Sequence, residues 1–491
     1  MDVLAIVCNQ LESLSTIKDI VILKHEKNQA ILALSNVCRS WHDHIFSCKN
    51  LISDIAFDFS SEESIATAGF FLKKLEGTEV PISVYARLGQ STDPSPTVTK
   101  LFVRLHSSIP HIVHFEYDGD MARYRSYLDR PAPNLLFFSD RFDTYPGTGL
   151  PLFRGQMPVL RVLTTLSPAS QVLWTTSTLP NLTTLNLGFL DMEPFVVLSS
   201  LLNLLRESPH LESVSIQSFT PVVNPNEALR DVCLPRLHTL NLQHNEFHTV
   251  LKRLRMPNVH KVSFCGESHP ISGEALNPTF EAPHLFASLP LLPIFERPIK
   301  SLRLETTGDG RTNVDFRIHL AADGGFIFRV SLSWILDAVP LFDEYLKNSI
   351  TGLIGMMNLA PQAHVELLLA YLAPSDIPVY RPLLLVADIG DLTILGRFAA
   401  DVLNQLTMDA GSWHFLPRLR LLKIVCWLPS LDEEGRRALS SCLRSRATGR
   451  VHFSIRLVGT EVPRTDFRES GYIVERECFE TQCTLFVPDQ K

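Results

Sequence analysis

The stretch LPNLTTLNL, residues 179–187, decides the fold class. Leu182, Leu185 and Leu187 fall where a short strand turns its side chains inward, with Thr184 and Asn186 between them. Pro180 stands ahead of the strand, where its missing N–H costs no ladder hydrogen bond. The same phrase recurs upstream as IPHIVHFEY (109–117), APNLLFFS (132–139) and MPVLRVLTTL (157–166). Downstream it recurs as SPHLESVSI (208–216), LPRLHTLNL (234–242) and MPNVHKVSF (256–264).

The prolines of these phrases, Pro110, Pro133, Pro158, Pro180, Pro209, Pro235 and Pro257, stand 23, 25, 22, 29, 26 and 22 residues apart. That matches the period of roughly 20–29 residues seen in leucine-rich repeats. Between the strand phrases lie amphipathic segments such as EPFVVLSSLLNLLRES (193–208), apolar at helical spacing through Val197, Leu201, Leu204 and Leu205. A strand plus a helix in this length is one layer that cannot bury its apolar face alone, so layers stack. The expected fold is therefore α/β: a leucine-rich-repeat-like solenoid of parallel strands plus helices, with a small N-terminal helical module.

Beyond residue 264 the pattern loosens. Residues 265–297 are rich in Pro, Ser and His and read as an irregular insertion. PIKSLRLET (298–306) reads as a strand. NVDFRIHL (313–320) and FIFRVSLSW (326–334) flank the turn AADGG as a β-hairpin. RPLLLVADI (381–389), LPRLRLLKI (416–424) and VHFSIRLVG (451–459) read as further strands, and DEEGRRALSSCLRSRA (432–447) as a helix. The organisation expected is a helical module over 1–50, first layers over 51–108, repeats over 109–264, the insertion, an irregular continuation over 298–459, and a cap or tail over 460–491.

Residues 30–46, AILALSNVCRSWHDHIF, place Leu34, Val37, Cys38 and Trp41 at i, i+3, i+4 and i+7 of one helix. Val3, Leu4, Val7 and Leu11 repeat at the same spacing upstream. LSNVCRSW (34–41) resembles the second half of an F-box, and DVLAIVCNQL (2–11) loosely resembles the first. The repeats likewise resemble the irregular leucine-rich repeats attached to F-box domains. The opening Leu-Pro of that motif is absent, and the connecting stretch carries the polar run KHEKNQ. The resemblance implies that Val3, Leu4, Leu34, Val37, Cys38 and Trp41 belong to a module docking on the Skp-type adaptor of a cullin ubiquitin ligase. The same residues also fit a plain helical cap that seals the first layer. In the first case the chain is a substrate receptor; in the second it is an interaction scaffold with no ligase link.

A protein target is expected on the strand-lined face, where polar side chains alternate with the inward apolar ones. Thr184 and Asn186, Glu212 and Ser215, and His238, Thr239 and Asn241 are the candidates. No catalytic or metal-binding motif stands out, so no cofactor is expected. His244, Glu246 and His248 alternate in HNEFH without the HExxH spacing. CFETQC (478–483) has no second thiol pair, and GDGRTN (308–313) lacks the P-loop lysine and reads as a turn.

Composition sets outer bounds. Hydrophobic residues form 45% and charged residues 20%, enough to build a large core. The net charge of −7 comes without a basic block, which points away from nucleic acid. The first residues, MDVLAIVCNQLES, lack a basic n-region, and the apolar run FVVLSSLLNLL (195–205) is too short to span a bilayer. A cytoplasmic or nuclear protein without membrane association is expected. The nine cysteines, most within apolar runs, are expected to be small buried hydrophobes.

Overall fold

The computed structural model describes residues 20–87, 96–119, 122–140, 152–165, 179–188, 195–217, 220–222, 229–243, 247–267, 292–308, 313–322, 324–335, 357–369, 389–395, 400, 403–404, 407, 419–425, 433–448, 454–458, 473–477 and 482–486. The chain is α/β with a mostly parallel sheet, and it divides into two compact units near residue 241.

The recurring proline builds a turn. In five phrases the amide of the residue two after the proline donates to the carbonyl of the residue before it. These bonds run from Leu135 to Ala132, Leu160 to Met157, Leu182 to Leu179, Leu211 to Ser208 and Leu237 to Leu234, at 3.1–3.3 Å. Each is a β-turn with proline at its second position, where a fixed φ near −65° is preorganised. The first and fourth residues of all five turns are buried. Six strands then begin four residues after the proline: β4 (Phe137–Asp140), β5 (Val162–Thr165), β6 (Thr184–Leu187), β8 (Ser213–Gln217), β11 (Thr239–Gln243) and β13 (Lys261–Glu267).

In the first unit the first five of these strands continue a ladder begun by β1 (Asp54–Asp58), β2 (Ile82–Arg87) and β3 (Ile112–Asp118). Neighbours pair in parallel from β1 to β6 and on to β8, which pairs with β11. Because each proline sits at the same offset, the register repeats: Phe137 faces Val162, which faces Thr184, which faces Ser213. One face of the ladder, carrying Phe115, Phe138, Leu163, Leu185, Val214 and Leu240, is fully buried. Two short parallel pairs, β7 (Phe195–Val197) with β9 (Thr220–Val222) and β10 (Val232–Cys233) with β12 (Leu254–Arg255), lie outside this ladder.

Five described helices belong to the first unit. α1 (Ile20–Ser35) and α2 (Arg39–Ser47) precede β1; α3 (Glu62–Leu75) and α4 (Pro96–Ser108) follow β1 and β2; and α5 (Leu198–Glu207) precedes β8. A sixth, α6 (Phe247–Leu251), follows β11 and belongs to the second unit. α3 starts where the Ser61 hydroxyl accepts the Ser64 amide at 3.1 Å, with Glu62 and Glu63 in its first turn. It ends before Gly77, whose φ of +72° suits glycine. α5 begins later than the spacing suggested, since Val197 is in a strand, but Leu201, Leu204 and Leu205 are buried as expected. Between β4 and β5 the chain uses a left-handed turn at Phe153, Arg154 and Gly155. The cost of putting Phe153 there, about 1–2 kcal/mol, is offset by its ring, buried edge-on against Phe115 and Phe138.

Two expectations for the N-terminal segment are corrected. Residues 30–46 are two helices rather than one: the chain turns at Asn36 and Val37, and Cys38 is extended at φ −161° ahead of α2. The polar run KHEKNQ is no spacer but the middle of α1. The ammoniums of Lys24 and Lys27 reach the Asp54 carboxylate at 2.9 and 3.1 Å, and the Asn28 amide donates to the Asp54 carbonyl at 3.0 Å. A third correction concerns the cysteines: of Cys38, Cys48, Cys233, Cys265 and Cys442, only Cys442 is buried.

In the second unit β13 pairs in parallel with β16 (Phe326–Ile335). The expected hairpin forms from β15 (Asn313–Ala322) and β16, and β14 (Ile299–Gly308) lies antiparallel to β15 on its other side. Residues 309–312, most of the expected turn over 308–313, lie outside the described residues. Parallel pairing then runs from β14 through β17 (Leu359–Leu369), β18 (Ile389–Leu395), β19 (Leu421–Val425) and β20 (Ser454–Val458). β18 begins at Ile389, where the expected strand 381–389 ends. α7 (Glu433–Thr448) stands between β19 and β20. The tail forms antiparallel strands β21 (Ile473–Glu477) and β22 (Gln482–Phe486), and β22 pairs with β20.

Candidate functional site

Three surfaces of the first unit carry exposed or polar groups in an ordered arrangement. The first is the corner between α1 and α2. Ile45 and Phe46 anchor α2, with Phe46 edge-on to Phe70 at 5.4 Å. At the corner itself Val37 is 66% exposed and Trp41 40%, large values for apolar side chains on a packed element. Cys38 beside them is exposed, while Leu34 is half-buried. Of the residues expected to form one docking face, the structure thus groups Val37, Cys38 and Trp41. Val3 and Leu4 lie outside the described residues, as do His244 and Glu246.

The second is the polar face of the ladder, opposite the core. Its register aligns Tyr85, Glu116, Ser139, Thr164, Asn186 and Ser215 in one row. Asn186 donates to the Thr164 hydroxyl and Asn241 to the Ser215 hydroxyl, each at 3.1 Å. Thr184, Asn186, Ser215 and Asn241 therefore share this face, as expected. Glu212 and His238 sit one residue ahead of their strands, joined by the His238 amide on the Glu212 carbonyl at 2.8 Å. Toward β2 this face turns aromatic: in the neighbouring row the His114 ring stacks on Phe137 at 4.1 Å, and Tyr85 lies 4.9 Å from His114. Lys24 of α1 stands over Tyr85 at 5.5 Å. Burial pushes the Tyr85 hydroxyl's pKa up, with the Lys24 charge opposing.

The third surface escaped the sequence reading. A groove of about 800 Å³ runs along the ends of the strands where the proline turns stack. One wall is the residue after each proline: His111, Asn134, Val159, Asn181, His210 and Arg236. The other is the residue two further on: Val113, Leu136, Arg161 and Thr183. Glu79 and Pro81 close the β2 end. The asparagines stiffen the wall, Asn134 donating to the Pro110 carbonyl and Asn181 to the Pro158 carbonyl, both at 2.8 Å. Leu136 is 41% exposed, and the buried Nδ1 of His210 has no hydrogen-bond partner. The signal for this groove was present in the sequence, as the two variable positions inside each proline phrase.

The second unit has a polar face of its own. Arg303 bridges Glu305 at 3.0 Å and Glu366 at 3.3 Å, and His364 reaches Glu366 at 3.2 Å. Burial, then the charges of Arg329 and Arg303, lower the pKa of His319. This network is largely satisfied within itself.

Among the described residues no three His, Cys, Asp or Glu side chains are grouped to hold a metal ion, and no helix is long and apolar enough to cross a membrane. No protein-family model matches the chain, and no curated protein matches it.

Proposed function

We propose that this chain is an F-box-like substrate-recognition subunit of a cullin-type ubiquitin ligase, in the cytoplasm or nucleus. In this reading the N-terminal module docks on a Skp-type adaptor, and an irregular leucine-rich-repeat-like solenoid holds a protein target. The chain contributes proximity and orientation, while partner proteins carry out the chemistry and no cofactor is needed. The observation that carries the adaptor half is the exposure of Val37 and Trp41 at the α1–α2 corner, within the LSNVCRSW segment. Apolar side chains of that size gain by being covered, and an anchoring Trp is typical of interface centres. The solenoid half is supported by the shared register of the strands and by the proline turn that recurs at each layer.

A second reading, a scaffold whose N-terminus is only a cap, is favoured by one observation. α1 is tied to β1 through Asp54 and so already seals the end of the ladder. The two readings part at the corner. A pull-down with the Skp-type adaptor compares wild type with the Val37→Asp, Trp41→Asp double variant, and circular dichroism follows the fold of both. Both residues are exposed, so the variant keeps its fold. Adaptor binding by wild type and loss in the variant is the expected result. Wild type that fails to bind leaves the scaffold reading.

A further inference from the structure

The groove along the stacked proline turns is a surface of graded chemistry, and we propose that it binds an extended acidic peptide of about nine residues. This rests on the target-recognition half of the reading above and names the class of target. The groove crosses seven strands, from β2 to β11. At about 4.8 Å per strand that is roughly 29 Å, the length of about nine residues in extended form at about 3.3 Å each. Extended chain is the form that reaches both ends of the groove with the fewest residues.

Chemistry varies along the length. Near β3 and β4 the groove is apolar, with Val113 and the exposed Leu136. From β5 to β11 it carries Arg161 and Arg236, both exposed, and neither guanidinium has an ion-pair or hydrogen-bond partner among the described residues. They stand on opposite walls and three strand spacings apart along the groove, about 14 Å, which is the reach of an extended chain between acidic residues i and i+4. Side chains at i and i+4 of an extended chain point the same way, so both acids face the groove. Between the two arginines the groove is lined by His210 and Thr183. Glu79 at the far end suits a basic residue ahead of the apolar pair. The preferred segment is thus basic, apolar, apolar, then two acids four residues apart.

The probe is the fluorescein-labelled peptide Lys-Leu-Val-Thr-Asp-Thr-Ser-Thr-Asp, with its reversed sequence, read by fluorescence anisotropy on the full chain. One orientation is expected to bind saturably. The Arg161→Glu, Arg236→Glu double variant is expected to bind about tenfold more weakly, and a peptide with Asn for both Asp to lose a similar factor on wild type. A peptide with Lys for both Asp is expected to bind the double variant better than wild type, which a misfolded variant could not do. The inference is overturned if neither orientation binds wild type, if the variant binds equally well, or if a ten-residue oligothymidylate binds more tightly through the same arginines. Retention of adaptor binding by the double variant separates failure here from failure of the receptor reading.

Discussion

Replacing Asp54 with Asn tests whether α1 is held by charge or merely lies where the chain leaves it. The Asp54 carboxylate takes two ammoniums, Lys24 at 2.9 Å and Lys27 at 3.1 Å, and its side chain is only 20% exposed. An exposed ion pair contributes about 0–1 kcal/mol, and breaking a fully buried one costs about 3–5 kcal/mol. The lysines are 13% and 14% exposed, so this site lies between the limits, and about 2 kcal/mol is the expected loss. That is about a 30-fold rise in local opening. Amide hydrogen exchange over residues 20–35 reads it directly, because α1 can open without the rest of the unit. The pH dependence has a fixed sign. Burial raises the pKa of Asp54, but Lys27 and Lys24 outweigh it, and the carboxyl is held below its ordinary value. A depressed carboxylate contributes in full above its unfolded pKa, and the contribution is lost as pH falls through the folded pKa. Wild type and Asp54→Asn therefore differ at pH 7 and converge in acid. Equal exchange at pH 7, or a difference that survives well below the folded pKa, refutes the reasoning.

Three further substitutions probe the ladder. Leu185→Ala removes a fully buried side chain from β6, between Leu163 and Val214 in register, and is expected to cost about 3–4 kcal/mol, read as a lower urea midpoint. Ser61→Ala removes the cap of α3 at a cost of about 1 kcal/mol, with faster exchange in its first turn, whereas Ser61→Gly recovers most of it. Pro180→Ala keeps the turn but frees the unfolded chain, and a loss of about 0.5–1 kcal/mol is expected with the strand register unchanged.

The ladder was legible where its cause is local. A proline at the second position of a turn, followed by a leucine that must be buried, fixes the strand start four residues on, and that information lies within a handful of residues. The first layers were less legible because their cause is not local. Pro81 precedes β2 without the leucine of the five turn phrases, and no proline phrase precedes β1. Within the expected helical module, the first ten residues of α1 were not placed in a helix of their own because their decisive face is polar. Lys24, Lys27 and Asn28 stand at i, i+3 and i+4, the spacing of a helical stripe, yet hydrophobic periodicity passes over them. Only the partner, Asp54, gives the stripe its meaning, and it lies 26–30 residues away. The hairpin of β15 and β16 was read correctly from alternation, but the return of β16 to a place beside β13 depends on packing that no short window contains.

For the site, the sequence reading chose the side chains that alternate with the core along each strand, and these do share one face. Geometry then argues for the rim over that face. Asn186 and Asn241 already use their amides on Thr164 and Ser215, so two of the chosen groups serve the ladder itself. In the turn the first and fourth residues are buried and the second is proline, which leaves the third to vary; Asn134 and Asn181 there tie the turn to the Pro110 and Pro158 carbonyls, while Arg236 carries no such tie among the described residues. Across successive layers from β4 that position reads Asn134, Val159, Asn181, His210 and Arg236. The surrounding phrase stays nearly constant while this position changes chemistry at almost every step. In the proposed recognition function, the outward position that varies from layer to layer is the one presented to a partner. Recognition is therefore expected to follow the order of those five residues more closely than the polarity of the strand face.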